Sequence, residues 1–152
     1  MLRGRCGCGV VTYVMQTAPI FVQCCHCSYC QKQTGSAYVL NAIIETDRVE
    51  IEGPVAEHEL PTPSGQGQII TRCRVCGVAV FSSYMVRRGK LRYVRVGTLD
   101  DPDQCPPGVQ IFTSSKQSWV RLNPDLPAFE QFYDFAEVWP RESLDRFEAA
   151  LS

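Results

Sequence analysis

The sequence predicts a mainly β domain of short strands with one helix at its C-terminal end. Short runs rich in β-branched and aromatic residues recur along the chain. Turn formers are frequent between them, with 11 Gly and 10 Pro in 152 residues. Only the tail shows helical spacing: after Pro140, residues Leu144, Phe147 and Leu151 fall on one apolar face. The length suits a single domain, residues 1–152, with enough chain for a sizeable core.

In chain order, residues 10–14 read as a strand that follows the Cys6-Gly7-Cys8-Gly9 motif. Residues 20–23 form a short strand that leads into a cysteine cluster. Residues 31–36 are polar and read as loop. Residues 38–44 are the best candidate for a buried strand, and residues 48–53 alternate as a half-buried one. Residues 61–67, with two Pro and two Gly, form a hairpin loop. Residues 69–72 run into Cys73-Arg74-Val75-Cys76-Gly77, and residues 78–81 continue as a strand. Residues 91–96 alternate, with Leu91, Tyr93 and Arg95 on one face and Arg92, Val94 and Val96 on the other. A turn-rich loop, 100–108, precedes a strand at 109–113, and residues 129–139 are rich in aromatic side chains. The predicted helix spans Arg141–Leu151.

Hydrophobic residues make up 45% and charged residues 20%, an ordinary globular composition. A net charge of -1 gives no support to a nucleic-acid surface. No apolar run approaches the roughly 18–20 residues of a membrane span. The stretch Met1 to Cys8 lacks the apolar centre of a secretory signal. The expectation is a cytoplasmic protein with no nucleic-acid or membrane partner.

In that reducing setting, nine cysteines point to metal rather than disulfides, and an odd number would leave one thiol over. Four of them, with one of the two histidines, lie in Cys24-Cys25-His26-Cys27-Ser28-Tyr29-Cys30. Cys6-x-Cys8 and Cys73-x-x-Cys76-Gly77 are two incomplete half-sites that together make a closed four-cysteine zinc site, the alternative being that the two pairs bind separate ions. In the cluster, Cys25 and Cys27 share one face of an extended segment while Cys24 and His26 share the other. Cys25, Cys27 and Cys30 can then converge on one ion and leave a coordination position free, the arrangement of a catalytic zinc. Spacing also permits Cys24, Cys27 and Cys30, or closure of the site by His26. Cys105, in a loop, is expected to have no metal role, and His58 is expected at the surface.

Three thiolates give a divalent zinc site a net charge of about -1, which makes it a poor generator of hydroxide. Such a site suits a further thiol held as a nucleophilic thiolate. Lys32, Arg72 and Arg74 are cations that can offset the added charge or stand as solvated surface groups. No general base is evident.

These residues resemble the glutathione-dependent formaldehyde-activating enzyme (GFA) family, which also includes centromere protein V. The resemblance rests on Cys6-Gly7-Cys8-Gly9, on Cys25-His26-Cys27-x-x-Cys30 with Gly35 beyond, and on Cys73-x-x-Cys76-Gly77. It extends through Gly97-Thr98-Leu99-Asp100-Asp101-Pro102, Ile111-Phe112, Ser115-Lys116, Trp119 and Leu126-Pro127-x-Phe129. The resemblance implies a zinc-stabilised β-tent of short antiparallel strands. It implies a structural zinc on Cys6, Cys8, Cys73 and Cys76 and a catalytic zinc on Cys25, Cys27 and Cys30, which favours Cys25 over Cys24. The implied partners are a small thiol, glutathione, and a small carbonyl, formaldehyde. The implied reaction is that of a carbon–sulfur lyase of the S-(hydroxymethyl)glutathione synthase type. A non-catalytic thiol carrier and a structural zinc protein for protein contacts are the alternatives. Three residues depart from the pattern: Gln31 and Gln110 stand where Arg and His are common, and Cys24 is an additional thiol.

Overall fold

A computed structural model describes residues 1–87 and 89–152. Ten strands form two sheets. They are β1 (Leu2–Arg5), β2 (Thr12–Met15), β3 (Phe21–Cys25), β4 (Val39–Glu45), β5 (Val49–Glu52), β6 (Val55–Leu60), β7 (Gln68–Cys73), β8 (Ala79–Tyr84), β9 (Leu91–Arg95) and β10 (Val109–Ile111). The small sheet has the order β1-β2-β5, and the large one β10-β3-β4-β9-β8-β7-β6. Two α-helices complete the chain, α1 (Ser28–Thr34) after β3 and α2 (Arg141–Leu151) at the end.

The expected mainly β class and C-terminal helix are present, with four local differences. β1 and β6 are strands that periodicity missed: each has only four to six residues and a mostly exposed pattern. Residues 31–34 are not loop, because α1 runs from Ser28 to Thr34, and only Gly35 and Ser36 of the expected loop lie outside it. That helix has no fully buried residue, so it carries no apolar stripe for pattern reading to find. The strand expected at residues 10–14 begins at Thr12, because Cys6 to Val11 form a turn. Finally, β10 pairs with β3 in parallel, while every other strand pair is antiparallel.

The large sheet separates two hydrophobic clusters because side chains alternate across it. Ala42 and Ile44 of β4 and Val94 of β9 join Tyr13, Met15 and Val49 of the small sheet. Val39 and Ile43 of β4, with Leu91 and Tyr93 of β9, face Trp139 and Tyr133. β4 and β9 are therefore buried on both faces, and full burial of Ile43, Ile44 or Leu91 stabilises by about 1.5–3 kcal/mol each.

The aromatic stretch forms the second cluster's cover. Phe135 stacks on Trp139 at 4.1 Å between ring centroids, and Phe147 of α2 meets both rings edge-on. The Arg146 guanidinium fixes α2 to β4 by donating to both Glu45 carboxylate oxygens at 3.0 and 2.7 Å. No described helix is long and apolar enough to cross a membrane.

Candidate metal centres

Two turns of similar build supply the first sulfur group. In the β1–β2 turn, the Cys6 N–H donates to the Val11 carbonyl and the Val11 N–H donates to Cys6 Sγ at 3.3 Å. In the β7–β8 turn, the Cys73 N–H donates to the Val78 carbonyl and the Val75 N–H donates to Cys73 Sγ at 3.3 Å. Each turn closes through a glycine in the left-handed region, Gly9 at φ 78° and Gly77 at φ 77°, where a side chain would be strained. Cys6 and Cys8 are thus presented by a turn.

The sulfurs of Cys6, Cys8, Cys73 and Cys76 all lie within 4.8 Å of one another. Cys6 and Cys8 are 3.5 Å apart, and Cys8 and Cys73 3.8 Å. Burial pushes the Cys6 thiol up, but the Val11 N–H and the neighbouring sulfurs outweigh it and bring the pKa down to about 6. The Val78 N–H likewise lowers Cys76. Backbone donors that favour thiolate, in a tetrad of this size, fit a divalent thiophilic ion.

The second group forms where β3 gives way to α1. Cys25 is the last residue of β3, Cys27 is the N-cap of α1, and Cys30 lies in its first turn. Their sulfurs also lie within 4.8 Å of one another, and among the described residues this group has three members. The Cys30 N–H donates to Cys27 Sγ at 3.3 Å, the side-chain cap that starts the helix. Cys25 and Cys30 thiols donate to Cys27, with help from the Cys30 and Tyr29 N–H groups, and its pKa falls to about 3 against the effect of burial. Donation to Cys27 holds Cys25 well above the usual thiol range. Cys25 lowers the Cys30 thiol, but Cys27 and burial together outweigh it and raise Cys30 to about 12. Three converging sulfurs, one of them already accepting a backbone N–H, are a donor set that fits a soft dication.

Cys24 and His26 turn to the other side of β3, as the alternation anticipated. Cys24 Sγ lies 3.5 Å from His26 Nε2, and both residues are buried. His26 packs against the Tyr38 ring, and its Nδ1 has no partner. The geometry therefore gathers Cys25 with Cys27 and Cys30, while Cys24 and His26 pair with each other.

Of the three cations named from sequence, none lies buried beside this group. Lys32 is exposed, and Arg74 donates to the Val55 carbonyl on the surface. Arg72 donates to the Gly77 carbonyl and to Gln33 Oε1 of α1. The buried cation is Arg95, at 8% exposure, which the sequence reading left unassigned. It stands opposite Asn41 of β4 and donates to Asn41 Oδ1 through Nη1, while its Nε has no partner. A signal was present: the alternation of β9 put Arg95 on the face of Leu91 and Tyr93, a charge in an apolar period.

The two departures Gln31 and Gln110 are structural pins. Gln31 Nε2 donates to the His26 and Ser115 carbonyls, and Gln31 Oε1 accepts from Gln117 Nε2. Gln110 Nε2 donates to the Asn123 carbonyl while its Oε1 accepts from the Asn123 N–H. Cys105 is buried in the first cluster, and His58 is exposed on β6.

The glutathione-dependent formaldehyde-activating enzyme family model matches residues 1–115, a span that contains all nine cysteines. The chain belongs to this family. No curated protein matches it. Among solved structures, a Rhodobacter sphaeroides protein is similar at 16% sequence identity and a TM-score of 0.49, over 84% of this chain and 98% of that one. The family span ends before the aromatic cover and α2, so the cysteine groups and both sheets lie inside it.

Proposed function

We propose that residues 1–152 form a single-domain, zinc-dependent enzyme that joins a thiol, glutathione, to formaldehyde or a related small carbonyl. The product is an S-hydroxymethyl thiol, and the activity is of the carbon–sulfur lyase class. The observation that carries this reading is the convergence of Cys25, Cys27 and Cys30 with Cys24 and His26 turned away. Membership of the formaldehyde-activating family supports the choice of co-substrates.

In this reading Cys6, Cys8, Cys73 and Cys76 hold a structural zinc, and Cys25, Cys27 and Cys30 hold a second one. Bound there, zinc supplies a soft Lewis-acid position that takes a thiol sulfur as thiolate while leaving it nucleophilic. The chain's part is placement. Cys25 is fixed by a strand buried on both faces, and Cys27 and Cys30 by the first turn of α1. Gln31 holds the Cys27 loop through the His26 carbonyl. In the reaction the thiol sulfur forms a bond to the carbonyl carbon. The C=O π pair moves to oxygen, which takes up the proton that the thiol lost.

Calorimetric titration of the zinc-loaded protein with glutathione tests the assignment. Wild type should bind, and Cys27→Ala should lose at least about tenfold in affinity, because removing a ligand costs no less than removing a group that merely orients one. A zinc-loaded wild type that does not bind glutathione rules the reading out. Binding with no acceleration over the uncatalysed addition would reduce the protein to a thiol carrier.

A further inference from the structure

We propose that Arg95 is the fixed counter-charge of the three-cysteine centre, a positioning residue that makes the site able to accept an additional anionic sulfur. The inference rests on the functional reading above and adds a residue to it.

Placement is the first argument. Cys25 pairs with Val39 across the β3–β4 ladder, and Arg95 pairs with Asn41 across β4–β9. Val39 and Asn41 are two apart on β4, so Cys25 and Arg95 lie on the same face of the sheet. This is the face that Cys27 and Cys30 pack against. The four-cysteine group lies elsewhere, with Cys6 and Cys73 in the cluster on the other side.

Charge is the second argument. A guanidinium stays protonated and is costly to bury without compensation. No Asp or Glu pairs with Arg95 among the ion pairs of the described residues. Its hydrogen-bond partner is the neutral Asn41, and its Nε is unsatisfied. After the effect of burial itself, the groups whose negative charge would favour its guanidinium are Cys30, Tyr84 and Cys25, while Arg72 acts against it. A buried cation whose compensation is a set of sulfurs makes sense when those sulfurs carry charge. Three thiolates on a dication sum to about -1, which one guanidinium cancels. A further thiolate then brings the assembly to -1 instead of -2.

Arg72 serves a different purpose. It is only half-buried and is spent on the Gly77 carbonyl and on Gln33.

The test uses the loaded protein with cobalt in place of zinc, and 2-mercaptoethanol as a neutral probe thiol. Arg95→Met should weaken the thiol-induced change in the cobalt spectrum by on the order of tenfold in affinity, as expected for one unit charge across a partly buried site. It should also speed metal loss from the three-cysteine centre to a chelator and leave the four-cysteine centre unchanged. Arg95→Lys, which keeps the charge, should restore both. Thiol affinity and metal retention in Arg95→Met within twofold of wild type would overturn the proposal. So would a loss that Lys does not rescue, because it would mark a purely structural role. If Arg95→Met does not fold, the same change is made in Cys27→Ser protein. Recovery of folded protein there supports the charge coupling, and failure in both backgrounds overturns it. Metal retention reads Arg95 even if glutathione fails to bind, so the two proposals fail separately.

Discussion

Several single residues act here through the space they leave or the bonds they close. Gly4 of β1 is one. A Cβ built at this position would come within 2.3 Å of the Tyr13 ring and 2.7 Å of the Thr98 carbonyl. Tyr13 cannot step aside, because it is buried and its hydroxyl is bound to Thr98 Oγ1 at 2.7 Å. Gly4→Ala should therefore destabilise the protein by about 1–3 kcal/mol through overpacking. A lower denaturant midpoint with an unchanged slope would show it, and an unchanged midpoint would refute it. Gln31 and Gln110 illustrate bond closure. Their amides reach backbone carbonyls that the loops would otherwise leave open. Neither has a free end for a charged substrate group, so the anionic parts of a thiol must find other partners.

At the level of elements, the two helices are held by different means. α1 has seven residues, too few to be stable alone in water. The Cys27 cap and the Gly35 C-cap at φ 66° bound it. Metal at its N-terminal turn would add the tie that its sequence lacks. α2 is amphipathic and buries Leu144, Phe147 and Leu151 against the second cluster. Its polar anchor is Arg146 on Glu45, with side-chain exposures of 22% and 10%. Burial pushes the Glu45 carboxyl up, but the Arg146 hydrogen bonds outweigh it and hold the carboxyl below its usual range. A depressed folded pKa gives stability that is present above the unfolded value, about 4.3, and is lost as the pH falls through the folded one. Arg146→Ala should cost about 1–3 kcal/mol at pH 7, and the gap from wild type should narrow as the pH drops below about 4. Urea unfolding at both pH values measures it, and a gap independent of pH would sink this account.

Over the whole molecule, the four-cysteine group ties the small sheet to the large one. Cys6 and Cys8 follow β1, Cys73 ends β7, and Cys76 lies in the turn after it. The three-cysteine group lies between one strand and one short helix, so it braces less of the chain. With both groups loaded, Cys73→Ser should lower the Tm by at least about 10 °C, from several kcal/mol of lost metal-linked folding energy at about 2–4 °C per kcal/mol. Cys27→Ser should lower it by less than half as much while it abolishes thiol binding. Thermal melts followed by circular dichroism compare the two, and equal losses would refute the division between a bracing centre and a reactive one.

The sequence by itself determined the β class, the C-terminal helix and the grouping of cysteines, because each is written in local spacing. Alternation in β4 and β9, the helical period after Pro140, and Cys-x-x-Cys with its glycine are all short-range patterns. Alternation even placed Cys24 with His26, away from Cys25. Ligand count joined Cys6 and Cys8 to Cys73 and Cys76, but only the tertiary structure decided that they meet where the two sheets join. It also decided that residues 31–36 belong mostly to a helix, and that the cation buried on the face of Cys25 is Arg95, with Lys32 and Arg74 exposed and Arg72 half-buried. The placement of Arg95 depends on strand pairings between β3, β4 and β9. A one-dimensional pattern records which face a side chain takes, but not which strands lie beside it.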